Sequence, residues 1–304
     1  MKAMANKPVK NIKYKGSNKA LIINLVIVIV IGVFSGFLIG MWFISNKVDP
    51  NLYNIDVALL KDDTTKIRNE AVGKSPTELG ATKSCVLAFD NTFNYENVMV
   101  VGVGNVNAMG VNQAINSKCI RIGDKIFSES VSVSKFVKAA DRFYLENGSI
   151  QKVKGNINGS TVTWNGNTSN LTLDEYKTTM GGSINEYMLY IVSSKTVVNE
   201  SKVEKTTDGN YTFVLELDKV KSVLNYVKNM KATGGLADYP VFNENILLTI
   251  TIDSNYRLLE AKTEEKYTAK IGPLNANSKG TLTNTFTYDV DVSIPTVAET
   301  SVIG

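Results

Sequence analysis

The sequence predicts an α+β protein: a large curved antiparallel sheet, a half-barrel of roughly ten or eleven strands with a few helices on its concave face, behind one N-terminal transmembrane helix. Three observations predict it. An uncharged, mostly apolar run extends from Ala20 to Asn46. Most of the chain after Asn97 alternates apolar and polar residues with a period of two, the signature of half-buried strands. Only a few windows, chiefly after Ser75 and Asp218, carry helical spacing.

The apolar run comes first. A hydrocarbon core of about 30 Å needs about 20 helical residues, so Ala20–Asn46 is long enough to span with some tilt, and Trp42 and Phe43 sit where interfacial aromatics belong. Lys2, Lys7, Lys10, Lys13, Lys15 and Lys19 precede it and no acid appears before Asp49, which places the N-terminus in the cytoplasm and the main domain outside the cell. No small-x-small cleavage site follows the run, and neither cysteine lies near its end to accept a lipid, so it is read as a signal anchor. Seven of the 33 basic residues lie at or before Lys47, leaving 26 against 29 acidic ones. The net charge of +4 therefore belongs to the tail and gives no reason to expect a nucleic-acid partner. The expected divisions are a lysine-rich tail (1–19), the anchor (20–46), a stalk (47–74), the extracytoplasmic domain (75–293) and a C-terminal tail (294–304).

Within the anchor, Gly32, Gly36 and Gly40 lie four residues apart on one helix face, a spacing that lets a second helix approach closely and allows a homodimer; glycine is also simply common in membrane helices. Ser75-Pro76-Thr77-Glu78 is a helix start, with a capping hydroxyl, proline at the first position and an acid in the first turn. Leu79, Thr82, Val86, Phe89 and Phe93 continue it as one buried face.

Strands are expected at 97–106, 111–122, 125–131 and 139–145, with Asn147-Gly148, Asn158-Gly159 and Asn165-Gly166 as hairpin signals. Further strands are expected at 186–198, 211–217, 246–252, 258–267 and 281–290. In the last, Thr281, Thr283, Thr285 and Thr287 alternate with Leu282, Asn284, Phe286 and Tyr288. Asp218 can cap a helix over Lys219–Lys231 that presents Val220, Val223, Leu224, Val227 and Met230 as one stripe. A short helical turn is expected after Thr172.

The run from Met99 to Gly148 combines Val106-Asn107-Ala108-Met109-Gly110-Val111, Gly123-Asp124-Lys125-Ile126-Phe127, Ser134-Lys135-Phe136-Val137 and Asp141-Arg142-Phe143-Tyr144. Asn210-Tyr211-Thr212, the Leu217-Asp218 helix start and Pro240-Val241-Phe242 follow. Over roughly residues 75 to 293 this pattern resembles membrane-anchored extracellular proteins of Gram-positive bacteria. Their layout is similar to the lipoprotein-carrier (LolA-like) and lipid-binding lipoprotein superfamily. The resemblance implies a curved half-barrel that handles a lipid or other hydrophobic ligand. This chain departs from the lipoproteins in having a helical anchor and no lipid-accepting cysteine.

The chemistry is restricted. With no histidine in the chain, Ser-His-Asp and Cys-His catalysis are excluded, as are the common zinc sites; no metal or cofactor is expected. Ser132-x-x-Lys135 matches the nucleophile motif of penicillin-binding enzymes, but its companions fail: there is no Ser-Asp-Asn, and Val197 follows Lys195-Thr196 where glycine is needed. Asp253-Ser254-Asn255 is a turn, and Glu260, Glu264 and Glu265 beside Lys262 and Lys266 read as a solvated strand face. Cys85 and Cys119 can form a disulfide outside the cytoplasm or stay as two buried thiols.

Aromatics including Phe127, Phe143, Tyr144, Phe213, Tyr226, Phe242 and Tyr267 either line a hollow or close the core. If there is a hollow, Val220, Val223, Leu224 and Val227 of the second helix, with Phe213 and Phe242 of the sheet, are the pocket candidates for an acyl chain. The leading expectation is a non-enzymatic, membrane-anchored binding protein for a lipid or other hydrophobic ligand. The alternative is an interaction or sensing ectodomain with its hollow filled by side chains, and a serine acyl-enzyme stands third.

Overall fold

The computed structural model describes residues 53–135, 138–166, 168–234, 236, 238–271, 274–296 and 301–302. The chain divides between Asn46 and Lys47. The expected anchor with Gly32, Gly36 and Gly40 lies outside the described residues, and among the described residues no helix is long and apolar enough to cross a membrane.

The described part opens with a 3-10 turn, Val57–Leu60, capped by Asp56, and helix α1, Thr64–Glu70, capped by Asp63. Tyr53, Leu60 and Ile67 are all buried in the main core, and Tyr53 donates its hydroxyl to Pro240 O at 3.1 Å. The stretch expected to be a stalk is therefore part of the domain from Tyr53 onward. Its polar composition is the outer surface of α1, where Arg68 pairs with Asp90 at 2.6 Å.

At Ser75 the capping box forms, with Glu78 Oε2 accepting from the Ser75 N–H at 2.8 Å. The helix it starts is short. Helix α2, Pro76–Leu79, stops at Gly80, whose φ of 92° no other residue adopts cheaply, and α3, Ala81–Phe93, begins afresh. The Glu200 carboxylate accepts from the Thr82 N–H at 2.8 Å, standing in for a local cap at the start of α3.

Then come β1 (Asn97–Ala108), β2 (Val111–Ile122), β3 (Lys125–Ser134), β4 (Lys138–Glu146), β5 (Ser149–Lys154), β6 (Asn156–Asn158), β7 (Thr161–Thr163) and β8 (Thr168–Thr172). Met109-Gly110 and Asn147-Gly148 turn two of these hairpins, with φ of 51° and 79° and of 52° and 73°. Two successive positive φ values match the right-handed twist of the strands they join. Helix α4, Leu173–Met180, follows a second capping box, Thr172 with Glu175. The rest is β9 (Val197–Glu200), β10 (Glu204–Lys205), β11 (Tyr211–Leu217), α5 (Leu224–Gly234), β12 (Val241–Phe242), β13 (Ile246–Ile252), β14 (Leu258–Ile271), β15 (Leu274–Tyr288) and β16 (Ser301–Val302).

Two expectations shift here. Residues 186–196 form no strand. They cross the sheet face irregularly, with a turn at Ser193–Thr196, and their backbone reaches a neighbouring crossing instead, with Ile191 N–H bonded to Ser222 O at 2.8 Å. Apolar alternation shows only that one side of the segment is buried, not that a ladder partner exists. Asp218 does cap, accepting from Val220 and Lys221 N–H at 2.9 and 2.7 Å, but the residues after it form tight turns and α5 begins only at Leu224.

The strands form one 13-stranded antiparallel sheet in the order β10-β11-β13-β14-β15-β1-β2-β3-β4-β5-β8, with β9 joined to β11 and β12 to β14. Among the described residues its ends do not pair, so it is no closed barrel. It must nevertheless curl. Helix α4 rests near the β8 edge, where Tyr176 meets Phe143 edge-on at 5.3 Å. Helix α5 rests over β14 through Tyr226 and Glu265. Yet α4 and α5 touch: Asn229 Nδ2 donates to Met180 O at 3.2 Å. Flat, β5 and β14 would stand about 29 Å apart. Helices of about 12 and 16 Å bridge that distance end to end; the curl itself follows from the strand number, since twisted open sheets beyond about ten strands do not stay flat.

The opposite face carries a second, smaller layer. A three-stranded sheet, β16-β7-β6, covers Val131, Ala140, Val153, Val162 and Trp164. Thr296 O accepts from Arg142 at 3.3 Å, and β16 pairs with β7. The expected C-terminal tail therefore includes backbone built into the fold.

Candidate functional site

The concave face is the place where the chain could hold something, and its floor can be followed residue by residue through the register. One row crosses the sheet as Phe213, Ile250, Ala261, Asn284, Gly102, Ser117, Ser130, Asp141 and Lys154. It begins apolar and ends polar. Phe213, Ile250 and Ala261 are buried; Ser117 and Asp141 are half-buried, and Ser130 and Lys154 are exposed. The floor is amphipathic across the strands.

The cover comes from three places. Helix α3 lays Phe89 and Phe93 over the middle, residues 181–196 cross beside it, and residues 218–234, which include α5, close the apolar side. Of the six residues expected to line a pocket, Phe213, Val223, Leu224, Val227 and Phe242 come together here as buried members of one core, at 2%, 1%, 0%, 0% and 4% exposure. Val220, on the turn before α5, is half-buried. Side chains fill the layer between floor and cover. The two clefts that stand out among the described residues lie elsewhere. One, of about 320 Å³, runs along Leu79, Thr82 and Val197–Glu200; the other, of about 290 Å³, lies between Arg68, Asp90, Tyr95 and Arg257.

Inside the layer lies one group that the sequence reading put on the wrong side. Glu260, Lys262, Glu264 and Lys266 do alternate outward, with Lys262 and Glu264 paired at 2.7 Å. Glu265 points inward with Ala261, Thr263 and Tyr267, and only 6% of it is exposed. Parity along β14 was the available signal, masked by the charges on either side. Gly280 faces Glu265 across the β14–β15 pair, and a Cβ there would come within 2.8 Å of Glu265 Oε1, so the glycine leaves the carboxyl its space.

Two tyrosines meet that carboxyl. Tyr190, from the 181–196 crossing, donates to Oε2, and Tyr226, from α5, donates to Oε1 at 3.1 Å. The rings of Tyr190, Tyr226, Phe242 and Tyr267 follow one another at centroid distances of 5.0, 6.0 and 5.5 Å. Burial pushes the Glu265 carboxyl above the usual carboxylate range, against the pull of the two hydroxyls. Burial beside that carboxyl pushes both tyrosines well above their ordinary value.

The remaining candidates separate. Ser132 is on β3, which ends at Ser134, so Ser132 and Lys135 lack the helical turn that places nucleophile and lysine together in that motif. Ser132 Oγ instead accepts from Gln113 Nε2. Asp253 holds its own turn, accepting from Asn255 and Arg257 N–H at 2.9 Å. Among the described residues no group of His, Cys, Asp or Glu is arranged to hold a metal.

The cysteines are unbridged, which corrects the disulfide expectation in favour of two thiols acting as small apolar side chains. Cys85 is on the buried face of α3; Cys119, half-buried as a residue but with an enclosed thiol, is on β2. Burial pushes the Cys85 thiol far up and the Cys119 thiol to about 12, so neither ionises at neutral pH. Iodoacetamide should leave both unmodified in the native protein and label both in denaturant. A protein that refuses the label even in denaturant would be bridged after all.

No family model matches the chain, and no curated protein matches it. Solved structures offer likenesses, and the superfamily suggested by the sequence pattern is among them. The chain is similar to a LolA superfamily protein from Nitrosomonas europaea, 12% identical over 71% of this chain and 94% of that one, with a TM-score of 0.26. It is also similar to a DUF1329 family protein from Desulfovibrio piger, 12% identical over 72% and 96%, with a TM-score of 0.24. A third likeness is to the ywiB protein from Bacillus subtilis, 7% identical over 62% and 91%, with a TM-score of 0.18. TM-scores this low carry no weight on their own, and the curved antiparallel architecture stands on the strand pairing described above.

Proposed function

We propose that Lys47–Gly304 is an extracytoplasmic binding domain, tethered by the apolar segment Ala20–Asn46, that takes a lipid or other apolar ligand between the sheet and its cover. One observation carries this reading. Among the described residues the two crossings, 181–196 and 218–234, lie on an apolar floor without strand pairing to it, tied to each other by Ile191–Ser222 and Asp218–Thr196. Side-chain packing is a weaker tie than a ladder, so the cover is the part of the fold that can lift as a unit. Beneath it lie Phe213, Leu215, Leu248, Ile250 and Phe286, on which each buried methylene of an acyl chain gains about 0.8 kcal/mol. Binding suffices as the activity, since the chain has no histidine to activate a nucleophile.

The filled layer favours a second reading, an interaction or sensing ectodomain that uses its outer surfaces. In either case Gly32, Gly36 and Gly40 are where a second copy would pack. Native mass spectrometry of residues 47–304, prepared from membranes without detergent, separates the two. An excess of several hundred daltons that disappears on denaturation is the result expected for a lipid carrier. A bare polypeptide mass, persisting after incubation with total membrane lipid, would exclude the ligand and leave the interaction module.

A further inference from the structure

We infer that Glu265, bonded by the hydroxyls of Tyr190 and Tyr226 at one end of a file of rings that continues through Phe242 and Tyr267, recognises the cationic end of an amphiphilic ligand, an alkylammonium group. The inference rests on the reading that an apolar ligand enters between floor and cover, and adds the chemistry of its headgroup.

The argument starts from an uncompensated group. A carboxylate removed from water needs a cation or several donors. Glu265 has two tyrosine hydroxyls, and among the described residues no lysine or arginine forms an ion pair with it. A carboxylate offers about four acceptor positions, so capacity remains after both tyrosines have donated. A stability role alone would be served better by leucine or methionine at this inward position of β14, as at Ile246, Leu248 and Ile250 on β13.

The surroundings choose the sign and type of the partner. Aromatic rings present a negative face, and several rings about a carboxylate attract an organic cation while repelling an anion. The neighbours add no opposing charge. Tyr190 comes from the 181–196 crossing, Tyr226 from α5, Phe242 from β12 and Tyr267 from β14 itself, while β15 offers Gly280 and Ser278. Tyr226 is half-buried as a residue, with its hydroxyl end turned inward to the carboxyl. Along the sheet the floor supplies the apolar remainder of the site, from Phe213 to Ala261. Glu265 also joins floor and cover, bonding through its two oxygens to both crossings, so a cation paired with the carboxylate is held at the point where they meet.

The test uses the full chain in nanodiscs, with thermal unfolding followed by near-UV circular dichroism. The probes are hexyltrimethylammonium, hexyl sulfate, hexanol and tetramethylammonium. Hexyltrimethylammonium is expected to raise the transition, more at pH 8 than at pH 5 because the carboxyl must ionise to pair. Glu265→Gln, which keeps the shape and one acceptor, is expected to weaken that probe at least tenfold and leave hexanol unchanged. Equal effects of all three hexyl probes on the unaltered protein would overturn the headgroup assignment while leaving the apolar site standing. No effect of any probe would overturn both readings. Tetramethylammonium acting as strongly as its hexyl relative would make this a site for a free cation, and undiminished selectivity in Glu265→Gln would remove Glu265 from it.

Discussion

A chain cut to begin at Ser75 is expected to lose its cooperative fold, whereas one beginning at Lys47 keeps it. The difference is the segment whose polar sequence suggests a tether. Tyr53, Leu60 and Ile67 are 8%, 8% and 6% exposed and lie in the same core as α3 and β11. Burying three such side chains is worth about 5–9 kcal/mol, against a total stability of about 5–15 kcal/mol for an ordinary domain. Polar ties add to this: Ser194 N–H donates to Asp62 at 2.7 Å and Lys195 Nζ to Leu59 O at 2.6 Å, fastening the 181–196 crossing from outside. In urea, the longer chain should show one steep transition by circular dichroism and intrinsic fluorescence together. The shorter should show a much lower midpoint, or none. Equal midpoints would mean that the segment is a tether after all, and the packing of Tyr53 would then contribute nothing.

That segment shows where reading from sequence stops. Period-two alternation located β11, β13, the first half of β1 and the outer half of β15 closely, because there one face is buried and the other more open; β2, half-buried on both sides, was located by its flanking turns. It failed at residues 186–196, where the same alternation comes from a crossing that buries one side against the sheet without joining it. Helix starts were legible at Ser75 and after Thr172, because capping is local chemistry, whereas Asp218 caps a turn and not a helix. The stop at Gly80 and the delay of α5 to Leu224 depend on what those helices pack against. Composition misled in the other direction at Thr64–Glu70, where one buried isoleucine every two turns is enough to dock a helix whose remaining side is charged.

The candidate site was legible in its apolar part and hidden in its polar part. Phe213, Val223, Leu224, Val227 and Phe242 do converge, since stripe and strand parity both pointed inward. Glu265 was taken for surface because it sits in a run of charges, although its parity is that of Tyr267. Whether convergent residues enclose a hollow or fill one is set by side-chain volumes across elements distant in sequence, and no local pattern records that.

Arg142→Ala is expected to cost about 3–5 kcal/mol, the usual effect of removing one partner from a buried ion pair. The sequence gives no hint of it, since an arginine on an alternating strand is ordinarily solvated. Here the guanidinium is 2% exposed, Nε lies 2.7 Å from Glu129 Oε2, and Glu129 is itself 15% exposed. Its plane stacks over Trp164 at 4.2 Å and Phe127 at 5.4 Å, and Nη1 donates to Thr296 O at 3.3 Å. One side chain therefore holds β3, β4, the small sheet and the C-terminal segment together. Arg142→Lys should recover little, because an ammonium lacks the planar face for stacking and the fork for several acceptors. Arg142→Met should fall between, keeping apolar bulk while leaving Glu129 without its guanidinium. Trp164, only 5% exposed, is the reporter. Its emission should shift red in Arg142→Ala before the main transition in urea, because the small sheet loses its anchor while the main core stays intact. A variant that unfolds with the midpoint of the parent and an unshifted spectrum would show that hydrophobic packing by Val131, Val153 and Val162 alone holds that layer, with the arginine a passenger in it.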